Sequence, residues 1–167
     1  QAQYWSQDKE LYRRLAKDGQ FPDALFITCS DSRIAPLRIT QAQPGDLFIL
    51  RNIGNFVPPF SEDRPDASGA GAAVEYAVQY LEVRDIIVCG HSDCGALKAL
   101  YRERSRFACM PHVAKWLGHG DRTMEVVRAN YPGLSPEERD EITSRENVLV
   151  QMENLRTYPA VKKAARE

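Results

Sequence analysis

Two short apolar runs, each followed within two residues by a cysteine or a histidine, constrain the fold of this chain most. Residues 24–28 end directly before Cys29, and residues 85–89 end just before His91, with Cys94 three residues further on. Such short runs are typical of buried strands, and the carboxyl ends of parallel strands meet at one edge of a sheet, where ligands bind. The pattern therefore predicts that these three side chains converge, although they are far apart in the chain.

The three side chains form a ligand set that suits zinc. Zinc has no redox chemistry and binds thiolate and imidazole readily. Structural zinc sites close with four protein ligands, whereas three leave one position for water or substrate. We therefore interpret Cys29, His91 and Cys94 as an active site that binds one Zn²⁺ per chain. The alternative is a non-catalytic, zinc-stabilised scaffold in which Asp31 is a permanent fourth ligand.

A carboxylate and a guanidinium follow the first cysteine, at Asp31 and Arg33. A carboxylate beside the open position can accept a hydrogen bond from the nucleophile and direct its lone pair at an electrophile. An ionised carboxylate also competes for the metal, and arginine is the residue type that holds a carboxylate by a bidentate pair. We predict that Arg33 keeps Asp31 ionised and turned away from the metal.

The remaining pattern predicts a single α/β domain over residues 1–167. A further strand is expected over residues 46–50, and helices are expected over residues 2–18 (an N-terminal arm), 67–81, 94–102, 113–129 and 136–156. The order strand, strand, helix, strand, helix predicts a mainly parallel β-sheet flanked by α-helices on both faces. Ser92 and Asp93 are predicted to cap the helix that begins near Cys94.

Charge, hydropathy and cysteine content exclude several classes of protein. The 22 Lys and Arg residues nearly balance the 23 Asp and Glu residues, so no nucleic-acid or anionic-membrane partner is expected. No apolar run approaches the roughly 20 residues that a membrane helix needs. Four cysteines, two of them assigned to the metal, do not form a disulfide framework. A reducing, cytoplasm-like compartment is therefore expected.

Five segments of the chain resemble the β-class carbonic anhydrases, zinc enzymes that interconvert carbon dioxide and bicarbonate. They are CSDSR from Cys29, PGDLF from Pro44, RNIGN from Arg51, GAAVEYA from Gly71 and GHSDCG from Gly90. They run in the family's order, and the similarity extends from about residue 4 to residue 165. The resemblance implies the β-carbonic-anhydrase fold and the reversible hydration of carbon dioxide to bicarbonate and a proton. It also implies that Asp31 and Arg33 are the catalytic dyad and that the three predicted ligands bind the zinc.

The same resemblance implies a substrate pocket and an oligomer. It places Gln20, Phe48 and Tyr76 around the carbon dioxide, and the backbone N–H of Gly95 toward bound substrate or product. Because the family usually contributes the glutamine across a dimer interface, a homodimer or a higher even-numbered homo-oligomer is implied. Phe26 stands where the bicarbonate-inhibited branch has a tryptophan, which favours the plant and cyanobacterial type with an open active site.

Three further expectations come from the resemblance. Relatives of this fold hydrolyse carbon disulfide or carbonyl sulfide with the same metal set, so this activity is an alternative to carbon dioxide hydration. The cytoplasmic location expected from the cysteine content includes, for this family, a location within a carbon-fixing compartment. Family members continue past their C-terminal helices into another strand, whereas this sequence stops at Glu167. Either the C-terminal edge strand is lacking or the sequence is a fragment of a longer chain.

Overall fold

A parallel sheet of three strands organises the computed structural model, which describes residues 2–63 and 69–166 and, of residues 2–7, only the backbone. The strands are β1 (Ala24–Cys29), β2 (Leu47–Asn52) and β3 (Asp85–Cys89). β1 lies between the other two, and all six of its residues are buried. A strand covered on both faces has no need of polar alternation, which explains the continuous apolar run before Cys29.

The register of the sheet aligns the carboxyl ends of the strands. Cys29 is paired with Asn52 of β2, and Thr28 is paired with Cys89 of β3. The Thr28 hydroxyl also donates a hydrogen bond to the carbonyl of Cys89, at 3.0 Å. The segments that follow β1 and β3 therefore start from the same edge, as the sequence predicts.

Helices connect and cover the strands. They are α1 (Ala2–Asp18), α2 (Pro36–Thr40), α3 (Ala70–Glu75), α4 (Gly95–Ala99), α5 (Pro111–Leu117), α6 (Asp121–Asn130), α7 (Pro136–Leu155) and α8 (Pro159–Ala164). A π-helical turn, Tyr76–Tyr80, continues α3, and short 3₁₀ turns occupy Ile53–Asn55, Arg104–Phe107 and Gly118–Gly120. The predicted mainly parallel α/β class is confirmed. In the described ranges, no helix combines the length and apolar character needed to cross a bilayer.

Several predicted helices differ in detail from the observed ones. The helix predicted over residues 113–129 is broken by the 3₁₀ turn at Gly118–Gly120, because two glycines weaken a helix. Position 120 requires glycine, since a Cβ there would lie 2.6 Å from Leu100 Cδ2. The helix predicted from residue 94 ends early, at Ala99. Residues 67 and 68 of another predicted helix lie outside the described residues. α2 was not predicted.

The start of α7 agrees with the prediction because its first turn is capped. The Ser135 hydroxyl accepts a hydrogen bond from the Glu138 N–H, and the Glu138 carboxylate accepts one from the Ser135 N–H. Pro136 occupies the first helical position, where no N–H is required. This reciprocal cap satisfies two backbone donors that a helix N-terminus otherwise leaves open.

The two faces of the sheet are covered unequally in the described part of the chain. Leu25 and Ile27 of β1 point into a core cluster completed by Val57, Val74, Ala77, Leu155 and Tyr158. On the opposite face Phe26 is buried, but its register neighbours Ile49 and Ile87 are 37% and 40% exposed. β2 and β3 form the two edges of the three-stranded sheet.

Buried amides of α7 hold the segment that follows β2. The Val57 N–H donates to Gln151 Oε1 at 2.8 Å, and Gln151 Nε2 donates to Asn147 Oδ1 at 3.0 Å. Asn147 Nδ2 donates in turn to the carbonyl of Gly54 at 3.1 Å. Both amide side chains are fully buried. They satisfy backbone groups that have no strand partner, as buried polar groups require.

Replacing Gln151 by leucine should therefore destabilise the protein although the volume is nearly conserved. The Val57 N–H would be left without its partner, which should lower the free energy of unfolding by about 2 kcal/mol. Urea denaturation at fixed protein concentration measures the change, and Glu153→Gln on the exposed side of the same helix is the control. A Gln151→Leu variant as stable as the unmodified protein would contradict the prediction.

Candidate metal centre

The structure brings the three predicted ligands together at the carboxyl edge of the sheet. One ligand atom from each of Cys29, His91 and Cys94 lies within 4.8 Å of the others. Cys29 is the last residue of β1, His91 follows β3 by two residues, and Cys94 is the N-cap residue of α4. Both cysteines are buried, in a core cluster with Phe56, Ala96 and other apolar residues.

The donor atoms fit a tetrahedral zinc ion. Two sulfurs bound to zinc at about 2.3 Å each are about 3.8 Å apart, and Cys29 Sγ and Cys94 Sγ are separated by 4.0 Å. His91 Nδ1 lies 2.8 Å from the carbonyl oxygen of Ser92, a contact that requires the proton on Nδ1. His91 Nε2 then carries an unprotonated lone pair, and this atom is buried with no hydrogen-bond partner among the described residues.

The two thiols lie within hydrogen-bonding distance of each other, and their pKa values are shifted in opposite directions. Hydrogen bonding from Cys94 lowers the pKa of the Cys29 thiol, and the Gly54 N–H, 3.4 Å from Cys29 Sγ, lowers that pKa further. The Cys29 thiolate and burial both raise the pKa of Cys94. Metal binding at this pair therefore releases a proton, because a thiolate and not a thiol is the metal ligand.

Asp31 borders the cluster and is held by Arg33. Arg33 Nε and Nη2 donate to the two carboxylate oxygens at 2.9 and 2.8 Å, and the Arg33 backbone N–H adds a third bond at 3.0 Å. These hydrogen bonds hold the pKa of Asp31 well below its usual range, so the carboxylate is ionised. Asp31 Oδ2 lies 4.0 Å from His91 Nε2. The carboxylate thus faces the cluster while both of its oxygens are engaged by arginine.

The predicted capping role of Ser92 and Asp93 is wrong. The N-cap of α4 is Cys94, and no side chain caps it. Asp93 has a left-handed backbone conformation, with φ of 58°. Its carboxylate accepts a hydrogen bond from Arg33 Nη1 at 3.1 Å and forms an ion pair with Lys98. Asp93 therefore supports the guanidinium that holds Asp31.

Arg51 begins the RNIGN segment, and the sequence analysis assigned it no role in the candidate site. Its Nε donates to the carbonyl of Cys29 at 3.2 Å, and its Nη2 donates to the carbonyl of Asp31 at 2.8 Å. These bonds fix the turn that leads from β1 into the site. The predicted second strand ended at residue 50, whereas β2 continues to Asn52 and places Arg51 opposite Thr28. Extending the predicted strand to residue 52 would have placed Arg51 beside the end of β1.

Gly54 approaches the cluster in a way that only glycine allows. Its φ is +81°, and a Cβ at this position would lie 2.9 Å from the ring of Phe56 and 3.1 Å from Ala96. Positive φ is strained for residues with a Cβ. The close approach lets the Gly54 N–H reach Cys29 Sγ. The RNIGN segment, which contains this glycine, was the only signal for it in the sequence.

Of the predicted pocket residues, only Gly95 is adjacent to a predicted metal ligand. Gly95 is exposed beside Cys94, with open space around its Cα. Phe48 contacts Tyr76, with ring centroids 5.7 Å apart, but it pairs with Leu25, four residues before Cys29. At about 3.3 Å per residue, Phe48 is about 13 Å from Cys29 along the sheet. Gln20 is exposed in the connection between α1 and β1.

Comparison with known proteins identifies the family. A family model described as carbonic anhydrase matches residues 24–167. This chain belongs to the carbonic anhydrase family. It is 46% identical over 159 residues to a carbonic anhydrase of Synechococcus elongatus, covering 95% of this chain and 57% of that protein. It is 44% identical over 158 residues to a carbonic anhydrase of Pseudomonas aeruginosa, covering 93% and 68%.

Solved structures confirm the β class. The β-carbonic anhydrase CcaA superposes with a TM-score of 0.90 at 45% identity, covering 97% of this chain and 71% of that one. A β-carbonic anhydrase of Coccomyxa, in complex with acetazolamide, superposes with a TM-score of 0.84 at 28% identity, covering 99% and 70%. The chain spans a little over half the length of the cyanobacterial relatives it matches.

The Asp31–Arg33 pair makes a testable electrostatic prediction. Arg33→Met should raise the pKa of Asp31 toward the ordinary carboxyl value of about 3.9, because the hydrogen bonds that favour the charged form are lost. Carbon-13 NMR titration of the chelator-treated protein measures this pKa, and Arg38→Met on the exposed side of α2 is the control. Because the pKa of Asp31 is lower in the folded protein than in the unfolded chain, ionised Asp31 stabilises the folded state at pH values above the ordinary carboxyl pKa. This stabilisation is lost as the pH falls through the pKa of Asp31 in the folded protein. An unchanged Asp31 pKa in Arg33→Met would contradict the prediction.

Proposed function

We propose that this protein catalyses the reversible hydration of carbon dioxide to bicarbonate and a proton, using one zinc ion per chain. The observation that carries the proposal is the buried group of Cys29, His91 and Cys94 beside a carboxylate that arginine holds in its ionised form. Membership of the carbonic anhydrase family supports the same reaction.

The side chains around the proposed zinc have separate tasks. When bound by the two cysteines and the histidine, zinc supplies a Lewis acid that makes water a competent nucleophile near neutral pH. Asp31 can accept a hydrogen bond from that nucleophile but, being ionised, cannot donate one, so it favours a single orientation. Arg33 occupies both carboxylate oxygens, which keeps Asp31 from becoming a fourth ligand.

We further propose that a second copy of the chain completes the substrate pocket. Phe48 and Tyr76 form an aromatic surface that suits an uncharged, linear substrate. Measured along the sheet, however, Phe48 is about 13 Å from Cys29 of its own chain. Tyr76 and Tyr80 stack on each other and are 43% and 72% exposed, as expected of a surface that a partner covers. Solved β-carbonic anhydrases of Sordaria macrospora are described as tetrameric. A homodimer or a higher even-numbered homo-oligomer, with Gln20 at the interface, accounts for these features.

The alternatives predict different properties. A zinc-stabilised scaffold needs a fourth protein ligand, whereas the group found in the described ranges has three and Asp31 is engaged by arginine. Hydrolysis of carbon disulfide or carbonyl sulfide uses the same ligand set, so the two activities must be compared directly. The cytoplasmic location, including a carbon-fixing compartment, remains a prediction.

The reaction is tested by stopped-flow measurement of carbon dioxide hydration between pH 7 and 9, together with sulfide release from carbon disulfide and carbonyl sulfide. We expect hydration by the zinc-loaded protein and none after chelation. Absence of hydration in a zinc-replete sample would overturn the proposal, and sulfide release without hydration would establish the alternative activity.

The metal assignment is tested by replacing one ligand. Cys94→Ser should lower the bound zinc from one ion per chain to nearly none after dialysis, because a buried hydroxyl is a poor substitute for a thiolate. Elemental analysis measures the stoichiometry. Cys109→Ser, at an exposed free cysteine outside the group, is the matched control and should retain the zinc. Full zinc content in Cys94→Ser would show that the metal binds elsewhere.

The role of Asp31 is tested without disturbing the metal. Asp31→Asn retains the shape of the side chain but loses the charged acceptor, and general-base catalysis typically contributes at least 100-fold to rate. We expect kcat/KM to fall about 100-fold while the zinc content is unchanged. Asp18→Asn, at the exposed end of α1, is the control. A variant with full activity would show that the carboxylate has no part in the reaction.

A further inference from the structure

We propose that Trp116 is a positioning residue of the metal centre, which acts on the sulfur of Cys29 through the peptide group between Ile53 and Gly54. This proposal rests on the metal binding in the proposed function, and it concerns a residue of α5, a helix that contributes none of the three ligands. Its effect is on the electron density and the position of one thiolate.

A single peptide group links the indole to the sulfur. Trp116 Nε1 donates a hydrogen bond to the carbonyl oxygen of Ile53 at 2.7 Å. The N–H of the same peptide belongs to Gly54 and donates to Cys29 Sγ at 3.4 Å. The carbonyl that accepts the first bond and the N–H that donates the second are therefore at opposite ends of one amide group.

Hydrogen bonds in such a chain strengthen one another. Donation to an amide carbonyl polarises the amide, which makes its N–H a better donor. When the acceptor is a thiolate the bond is charge-assisted, and it withdraws electron density from the sulfur. Groups that hydrogen-bond to metal ligands orient those ligands and tune the metal. The Trp116 N–H should therefore make Cys29 a less electron-rich and better-fixed ligand.

The groups on the Gly54 side of this peptide are held in place. The carbonyl of Gly54 accepts a hydrogen bond from the buried Asn147 Nδ2 at 3.1 Å. The ring of Phe56 packs close to the Cα of Gly54 and lies 6.1 Å from the indole of Trp116. With the neighbouring groups fixed in this way, loss of the indole hydrogen bond should mainly weaken the hydrogen bond from the Gly54 N–H to Cys29.

A purely structural role for Trp116 predicts a different result. Its ring contacts Phe56 and, at 4.8 Å between centroids, His119. If packing were its only contribution, a phenylalanine would retain most of the effect and leave the metal spectrum unchanged. The hydrogen bond and the packing can therefore be separated by a change that removes the N–H and keeps an aromatic ring.

The test uses Co²⁺ in place of Zn²⁺, because the thiolate-to-cobalt charge-transfer bands report the electron density on sulfur. Trp116→Phe should shift these bands to longer wavelength, because the sulfur becomes more electron-rich. It should also weaken zinc retention, measured by chelator competition, by about 10-fold, because Cys29 is less well fixed as a ligand. The control is Tyr101→Phe, which deletes a hydrogen bond of 2.8 Å to Thr143 that does not involve the metal ligands. Tyr101→Phe should leave both measurements unchanged.

The outcomes distinguish this inference from the proposed function. Unchanged bands in a folded Trp116→Phe protein would overturn it, as would an equal shift in Tyr101→Phe. If Trp116→Phe does not fold, site-specific replacement of Trp116 by benzothienylalanine, which has sulfur in place of the N–H, gives the same test. Shifted bands in a protein that binds metal but does not hydrate carbon dioxide would support the inference and refute the reaction. Failure of the unmodified protein to bind cobalt or zinc would refute both.

Discussion

The parallel pairing of β1 with both of its neighbours is the constraint on which the candidate metal centre depends. Side chains alternate between the faces of a strand, so a slip of one residue would turn Cys29 to the other face of the sheet. The observed register sets Cys29 opposite Asn52 and Thr28 opposite Cys89. Only in that register do the turn after β3 and the N-terminus of α4 bring His91 and Cys94 to the same sulfur. The hydrophobic burial of β1 therefore determines where the chemistry lies.

Arginine side chains impose order on the polar edge beyond the strands. Arg33 uses its Nε, Nη1 and Nη2 atoms to connect the carboxylate of Asp31 to the carboxylate and the carbonyl of Asp93. Arg51 binds two backbone carbonyls of the turn after β1. Arg33 therefore holds the carboxylate, and Arg51 holds the backbone of the same turn.

The predictable and the unpredictable parts of this site differ in physical origin. The three strands and the Asp31–Arg33 pair follow from local pattern and residue chemistry, and the structure contains them. The role of Asp93 could not be predicted because it depends on a left-handed backbone conformation at a residue that is not glycine. The distance of Phe48 from Cys29 depends on the register between β1 and β2, and the resemblance to a family does not specify that register. The break at Gly118–Gly120 has a local signal in its two glycines, whereas the close packing of Gly120 against Leu100 is a contact between segments distant in sequence.

The segment from Gly54 to Val57 connects the metal centre to the longest helix. Gly54 donates to Cys29 on one side, while its carbonyl and the N–H of Val57 bond to Asn147 and Gln151 of α7 on the other. Because these amides are buried and hydrogen-bonded, movement of the segment would break several hydrogen bonds at once, which is costly in a medium of low dielectric constant. The position of the Cys29 sulfur is therefore set by the packing of α7 as well as by β1. A ligand fixed from two directions loses little conformational entropy when it binds a metal, and its geometry is less able to adapt to an ion of another size.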